Sequence, residues 1–172
     1  DAPLTDLGVY QAQVAGQYFK NAGITFDAAY SSTSERACDT LEIVTNGSLS
    51  YQRVKGLKEW NFGTFEGESE DLNPPLPYED FFVTYGGESQ DQVRDRMAAT
   101  ILQLMQETKG KSVLMVSHGG AMANFARAWE DNWRLDNLGH MTNCGILKFS
   151  FEADQFYLEE AIGHDFSGWE EK

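Results

Sequence analysis

Apolar positions recur along the chain either at helical spacing or in short runs of strand length, and the two patterns alternate. In LTDLGVYQAQVAGQYFKNAG, residues 4 to 23, Leu7, Tyr10, Val14 and Tyr18 fall on one helical face, with Thr5 as N-cap and Gly23 as the stop. DAAYSS follows as a short strand, and TSERACDTLEIVTNG turns back into a helix with Ala37, Leu41 and Val44 facing inward. YQRVKGL reads as the next strand.

From Asn61 to Glu88 the periodicity loosens. This stretch holds three of the chain's four prolines together with glycines, the signature of loops and short turns, and 61–88 reads as a lid-like insertion. A long helix then begins at Ser89, with Gln92 in capping-box spacing and an inward stripe of Val93, Met97, Ile101 and Leu104, and closes before Gly110. SVLMVS is an unbroken apolar run of the kind covered on both faces of a parallel sheet, and GGAMANFARAWEDNW is the helix after it. CGILKFSFEADQFYLEEAIG reads as an antiparallel hairpin at a sheet edge, turning at Ala153 and Asp154.

Strands alternating with helices predict an α/β sandwich with a mostly parallel sheet and an antiparallel edge, built as one domain over 1–172. Ligands in such folds bind beyond the carboxyl ends of the strands, which points to the neighbourhood of Ser31, Ser32 and His118. Composition narrows the classes further. A net charge of −14 opposes nucleic acid and anionic membrane as partners, so an anionic ligand needs a local positive pocket. No membrane span or signal-peptide pattern is present, and the chain reads as cytoplasmic. Cys38 and Cys144 are too few and too far apart for a disulfide scaffold or a multi-cysteine zinc site, and read as buried thiols.

Three residues carry candidate chemistry. His118 stands directly after an apolar strand and at a helix start, where backbone N–H groups and the helix dipole favour an anion. Gly119 and Gly120 let that anion approach the backbone closely. The motif alone serves either a phosphate-binding or acid/base histidine, or a hydrogen-bonded histidine with no ligand. Arg36 lies in the first turn of a helix, a poor place for a cation unless a bound anion relieves the conflict; Glu35 beside it can pair with surface charges instead. Glu59, among Trp60, Phe62 and Phe65, fits a general acid in apolar surroundings, or an exposed loop carboxylate.

Taken in order, PLTDLGVYQA, YSSTSERACDTLEIV, LKEWNFGTFEG, GGESQDQVRDR, VLMVSHGG and MTNCGIL resemble the histidine phosphatase superfamily, also called the phosphoglycerate mutase-like family, from Pro3 to about Phe151. The resemblance implies a three-layer α/β/α sandwich. It also implies a phosphohistidine mechanism in which Glu59 is the proton donor and His118 the second histidine. Arg36, with Ser32 and Gly119, would bind the phosphoryl group, and no metal or other cofactor is implied. Arg96 matches a family position and fits a structural salt bridge.

The family's nucleophile lies in an Arg-His-Gly block ahead of PLTDLG, so the resemblance places it upstream of Asp1, on a strand lying against VLMVS. His140 and His164 cannot replace it, since neither follows an apolar strand. Of a segment left out, a truncated form and a natural non-catalytic relative, the first is favoured, because losing a central strand would leave rows of unpaired backbone groups.

Between Glu66 and Glu88 stand seven carboxylates and no Lys or Arg. Such a lid disfavours a second anionic group on the substrate, while Tyr78, Phe81, Phe82 and Tyr85 could pack on an uncharged organic part. The expectation is a phosphatase acting on a small phosphorylated metabolite. The alternatives are a cofactor-dependent phosphoglycerate mutase and a non-catalytic phosphate-binding relative. A homodimer is compatible with the sequence but is not read from it.

Overall fold

The computed structural model describes residues 2–109 and 111–170. Its elements run α1 (Asp6–Asn21), β1 (Ala28–Ser31), α2 (Glu35–Val44), β2 (Gln52–Arg53), α3 (Gln90–Glu107), β3 (Val113–Val116), α4 (Gly119–Ala128), β4 (Ile146–Glu152) and β5 (Gln155–Ile162). Short 3-10 turns fill the stretch between β2 and α3.

β1 is the middle strand of a parallel sheet in the order β2-β1-β3, with Ala28 opposite Val113 and Ser31 opposite both Val116 and Arg53. Two cores lie on its two faces, which makes the architecture a three-layer α/β/α sandwich. Phe19, Ala29, Leu41 and Leu114 fill the side of α1 and α2. Val93, Met97, Ile101, Ala121 and Phe125 fill the side of α3 and α4, joined by Leu57, Trp60 and Phe82.

β4 and β5 pair antiparallel, turning at Ala153 and Asp154, both in the left-handed region (φ 51 and 60). The sequence placed this hairpin on the edge of the main sheet; among the described residues it forms a sheet of its own. Ile146 at the start of β4 nevertheless packs on the core that holds Leu114 and Val116. The strand run therefore has a break between β3 and β4, and the outer edge of β3 has no strand partner among the described residues.

Three further expectations differ from the structure. The buried residues of α1 are Gln11, Ala12, Ala15 and Phe19, while Leu7 is 37% exposed and Tyr10, Val14 and Tyr18 are half-buried. Small residues decide this rotation: the backbone of Gly16 lies so close to Val44 that a Cβ there would come within 2.9 Å of the Val44 carbonyl oxygen, and α1 turns its small face to α2. In YQRVKGL only Gln52 and Arg53 pair as strand, and Lys55–Leu57 forms a 3-10 turn. The chain leaves the sheet because Gly56 presses its backbone against Thr100 of α3 and gives its carbonyl to Arg96. Finally, Cys38 is buried but Cys144 only half-buried; both are free thiols.

Candidate active site

β1 and β3 end side by side, and their register brings two polar residues together just beyond the sheet. Ser32, fully buried, follows β1 with its N–H on the Val116 carbonyl at 2.9 Å. Its Oγ lies 2.9 Å from Nε2 of His118. His118 is the N-cap residue of α4 in extended conformation (φ −134, ψ 159), and its ring makes no capping bond.

Glu59 provides that cap instead. Its Oε1 accepts from the N–H groups of Ala121 at 2.7 Å and Trp60 at 2.8 Å, and its Oε2 accepts from Gly120 N–H at 3.1 Å. The carboxylate thus sits on the positive end of α4. Beside the neighbouring aromatics it therefore has a polar cradle of three backbone N–H groups, and the Trp60 indole donates to the Glu88 carbonyl at 2.8 Å. Gly120, rather than Gly119, is the glycine whose bareness matters for this contact, since a Cβ on Gly120 would meet Glu59 Oε1 at 2.8 Å while one on Gly119 would meet nothing within 4 Å. The Gly-Gly pair advertised a close approach, but only the geometry says which glycine makes it.

The Glu59 segment is tied to the end of β3 by Ser117 Oγ, which donates to the Leu57 carbonyl at 2.6 Å. From the other side Arg96 donates to the carbonyls of Gly56, Lys58 and Glu59 and to both oxygens of Glu88. Its structural role, expected from sequence, is what the structure shows. Burial above all holds the His118 imidazole below the ordinary histidine range; the Glu59 carboxylate acts against this, and the charges of Arg36, Arg96 and Lys58 add to it. Three cations therefore act on one ring in a chain of net charge −14. Lys58 had no signal in the sequence beyond its place beside Glu59. Glu35, next to Arg36, pairs with Arg53 of β2 at 2.7 Å.

The aromatics of 61–88 do not form an open surface. Phe82 is fully buried, and Trp60, Phe62, Phe65, Tyr78 and Phe81 all pack edge-on around it; Tyr85 is exposed and the other rings of the segment are half-buried. They are the core of the 61–88 segment itself, because a segment built of 3-10 turns has no regular backbone ladder to hold it.

A family model for the histidine phosphatase superfamily (branch 1) matches residues 1–162. The chain belongs to this superfamily. Among other histidine phosphatase relatives, an acid phosphatase of Mycobacterium tuberculosis is 33% identical over 141 residues, 77% of this chain and 64% of that protein. A 2,3-bisphosphoglycerate-dependent phosphoglycerate mutase of Rhizobium etli is 31% identical, over 76% of this chain and 69% of the mutase. The chain thus spans about two thirds of the length of these relatives. A mutant of phosphoserine phosphatase from Entamoeba histolytica, solved in complex with phosphoserine, superposes with a TM-score of 0.74 at 27% identity, covering 92% of this chain and 83% of that one. The superfamily thus includes both phosphatases and mutases among this chain's relatives. Among the described residues no helix is long and apolar enough to cross a membrane.

Proposed function

We propose that this protein is a phosphatase that hydrolyses small phosphomonoesters through a phosphohistidine intermediate. The observation that carries the reading is the convergence at the ends of β1 and β3: His118 beside Ser32, Glu59 on the amides of α4, and the charges of Arg36, Arg96 and Lys58 bearing on the imidazole. Cations bearing on one ring in so acidic a chain favour an anion beside it.

In this reading the nucleophile histidine lies upstream of Asp1, on a strand beside β3. The open outer edge of β3, with β4 packed on the same core but not paired to it, supports that position. The nucleophile's ring nitrogen attacks phosphorus and the ester P–O bond breaks. Glu59, whose protonated form is favoured once the anionic ester lies beside it, gives its proton to the departing alcohol oxygen, while Arg36, the His118 ring and the bare backbone at Gly119 hold the phosphoryl oxygens. Water then attacks the phosphohistidine, its proton passes to the Glu59 carboxylate, the P–N bond breaks, and phosphate leaves.

The insertion 61–88 serves as a lid. Its carboxylates from Glu66 to Asp80, with no Lys or Arg among them, favour substrates without a second anionic group, which is why hydrolysis is preferred here to mutase chemistry. The test uses the protein with any residues that precede Asp1 in its reading frame. Hydrolysis of a generic aryl phosphate, lost in His118→Ala and in Arg36→Ala, is the expected result. Interconversion of 3- and 2-phosphoglycerate faster than hydrolysis of a panel of monoesters would replace the phosphatase reading with the mutase one.

A further inference from the structure

The hydrogen-bonding capacity of Ser32 is small, and its partners among the described residues can be counted. A serine hydroxyl offers one hydrogen and two lone pairs. Here the residue has no exposed surface, and the N–H of Ser34 donates to its Oγ at 3.2 Å. The remaining partner among the described residues is His118 Nε2 at 2.9 Å. Were Nε2 protonated, it would donate to the second lone pair, and the hydroxyl hydrogen would be left buried with no described acceptor. That arrangement costs about 1–3 kcal/mol relative to a satisfied one. With Nε2 bare, the hydroxyl donates to it, and both the hydrogen and a lone pair of Ser32 are used.

We propose that Ser32 is a positioning residue for His118: its hydroxyl donates to Nε2 and so fixes the neutral tautomer that carries its proton on Nδ1. The ring then has a single donor, on the edge away from Ser32, and a fixed orientation. This rests on the reading of His118 as the residue that holds a phosphoryl group, for which a ring locked as a donor is the useful form. It also changes the part expected of Ser32, which acts on the anion through His118 rather than by touching it.

The charged groups that act on the ring are Glu59 from the segment after β2, Lys58 beside it, Arg36 from α2 and Arg96 from α3. The three cations favour the neutral ring, as does the serine hydrogen bond; Glu59 opposes them. Because α4 is capped by the Glu59 carboxylate, the ring is not drawn into capping and its hydrogen bond to Ser32 is uncontested.

The experiment is long-range 1H–15N correlation spectroscopy on histidine-labelled protein carrying any residues that precede Asp1, with His118→Gln to assign the signal. At neutral pH the expected spectrum shows a bare Nε2 and a protonated Nδ1. In Ser32→Ala the ring relaxes toward a mixture of tautomers and its titration midpoint rises; Ser32→Thr, which keeps the hydroxyl, restores the wild-type spectrum. The acid limb of the pH profile for aryl phosphate hydrolysis moves up with the midpoint in Ser32→Ala, whereas a merely structural role would lower the rate at every pH alike. A protonated Nε2 in the wild-type protein at neutral pH overturns the proposal, as does an unchanged tautomer in Ser32→Ala. The expected spectrum without any phosphatase turnover would uphold the tautomer lock and defeat the phosphatase reading instead.

Discussion

Arg96 grips both carboxylate oxygens of Glu88, Nε to Oε2 and Nη2 to Oε1, at 2.9 Å each. The same guanidinium reaches the carbonyls of Gly56 and Lys58 at 2.8 and 2.9 Å. It therefore joins three pieces: α3, the segment that carries Glu59, and the last residue of the insertion. Each side chain is roughly a quarter exposed or less, so the pair is neither a screened surface bridge nor a fully buried one. Arg96→Ala leaves Glu88 without its cation and the carbonyls without a donor. It is expected to lower stability by about 2 kcal/mol, an intermediate value between surface and buried pairs, read by chemical denaturation.

The same pair sets a pH dependence. Burial alone would push the Glu88 carboxyl up, but the hydrogen bonds from Arg96 and the Asn61 N–H outweigh it and leave Glu88 below the ordinary range. A carboxyl lowered in the fold contributes stability above its unfolded pKa and loses it as pH falls through the folded value. Glu88→Gln is expected to flatten the acid side of the stability curve below about pH 4.5, seen as a smaller fall in Tm on acidification than in the wild-type protein.

His118 acts in a higher pH window, in the same direction. Its imidazole is held below the ordinary range, mainly by burial, so the unfolded chain takes up the proton first. The contribution is nil above the unfolded value near ~6.5 and grows as a destabilisation as pH falls from there toward the folded value. Denaturation of wild-type and His118→Gln proteins at pH 7.5 and 5.5, about one unit either side, should show the larger loss in the wild type. Equal losses would mean that the ring titrates normally in the fold.

Gly120 ties backbone to chemistry. A Cβ at this position would stand 2.8 Å from Glu59 Oε1 and 3.3 Å from its Cδ, so Gly120→Ala must push the carboxylate off the amides of Gly120 and Ala121. Alanine is also the better helix former by about 1 kcal/mol, so stability need not fall with function. The expected outcome is a loss of turnover on the order of 10- to 100-fold, the scale of a ~1 Å displacement of a reacting group. It is read as kcat on an aryl phosphate alongside a Tm near or above wild type. A kcat unchanged in the folded variant would remove Glu59 from the chemistry.

Much of this was legible in local chemistry. Ser89 and Gln92 make the reciprocal capping box their spacing announces, Thr5 caps α1 through its hydroxyl, and Ala153 and Asp154 turn the hairpin. The strand ends at Ser32 and His118 were legible too, because an apolar run that stops at a polar residue marks where a parallel sheet ends. What local pattern could not carry were contacts set by distant backbone. The rotation of α1 depends on Gly16 meeting Val44, and the loss of strand after Arg53 depends on Gly56 meeting Thr100. The polar cradle of Glu59 was hidden for the same reason, since its donors at Gly120 and Ala121 lie some sixty residues away in sequence.

Phe82 is the keystone of the 61–88 segment, fully buried and ringed by Trp60, Phe62, Phe65, Tyr78 and Phe81. It shares one buried cluster with Val93 and Met97 of α3, so the core of the 61–88 segment is continuous with that of the sandwich. Phe82→Ala removes the ring that joins them and is expected to cost about 3–5 kcal/mol where the cavity cannot collapse. The turns from Gly63 to Tyr85 are the part with least regular backbone pairing, so they should open before the sheet does. Limited proteolysis separates the two levels. Cleavage between Glu66 and Asp80 that appears well below the thermal transition in Phe82→Ala, and not in wild type, marks the insertion as a separate opening unit. Simultaneous loss of insertion and sheet in one transition would show instead that Phe82 anchors a single cooperative core.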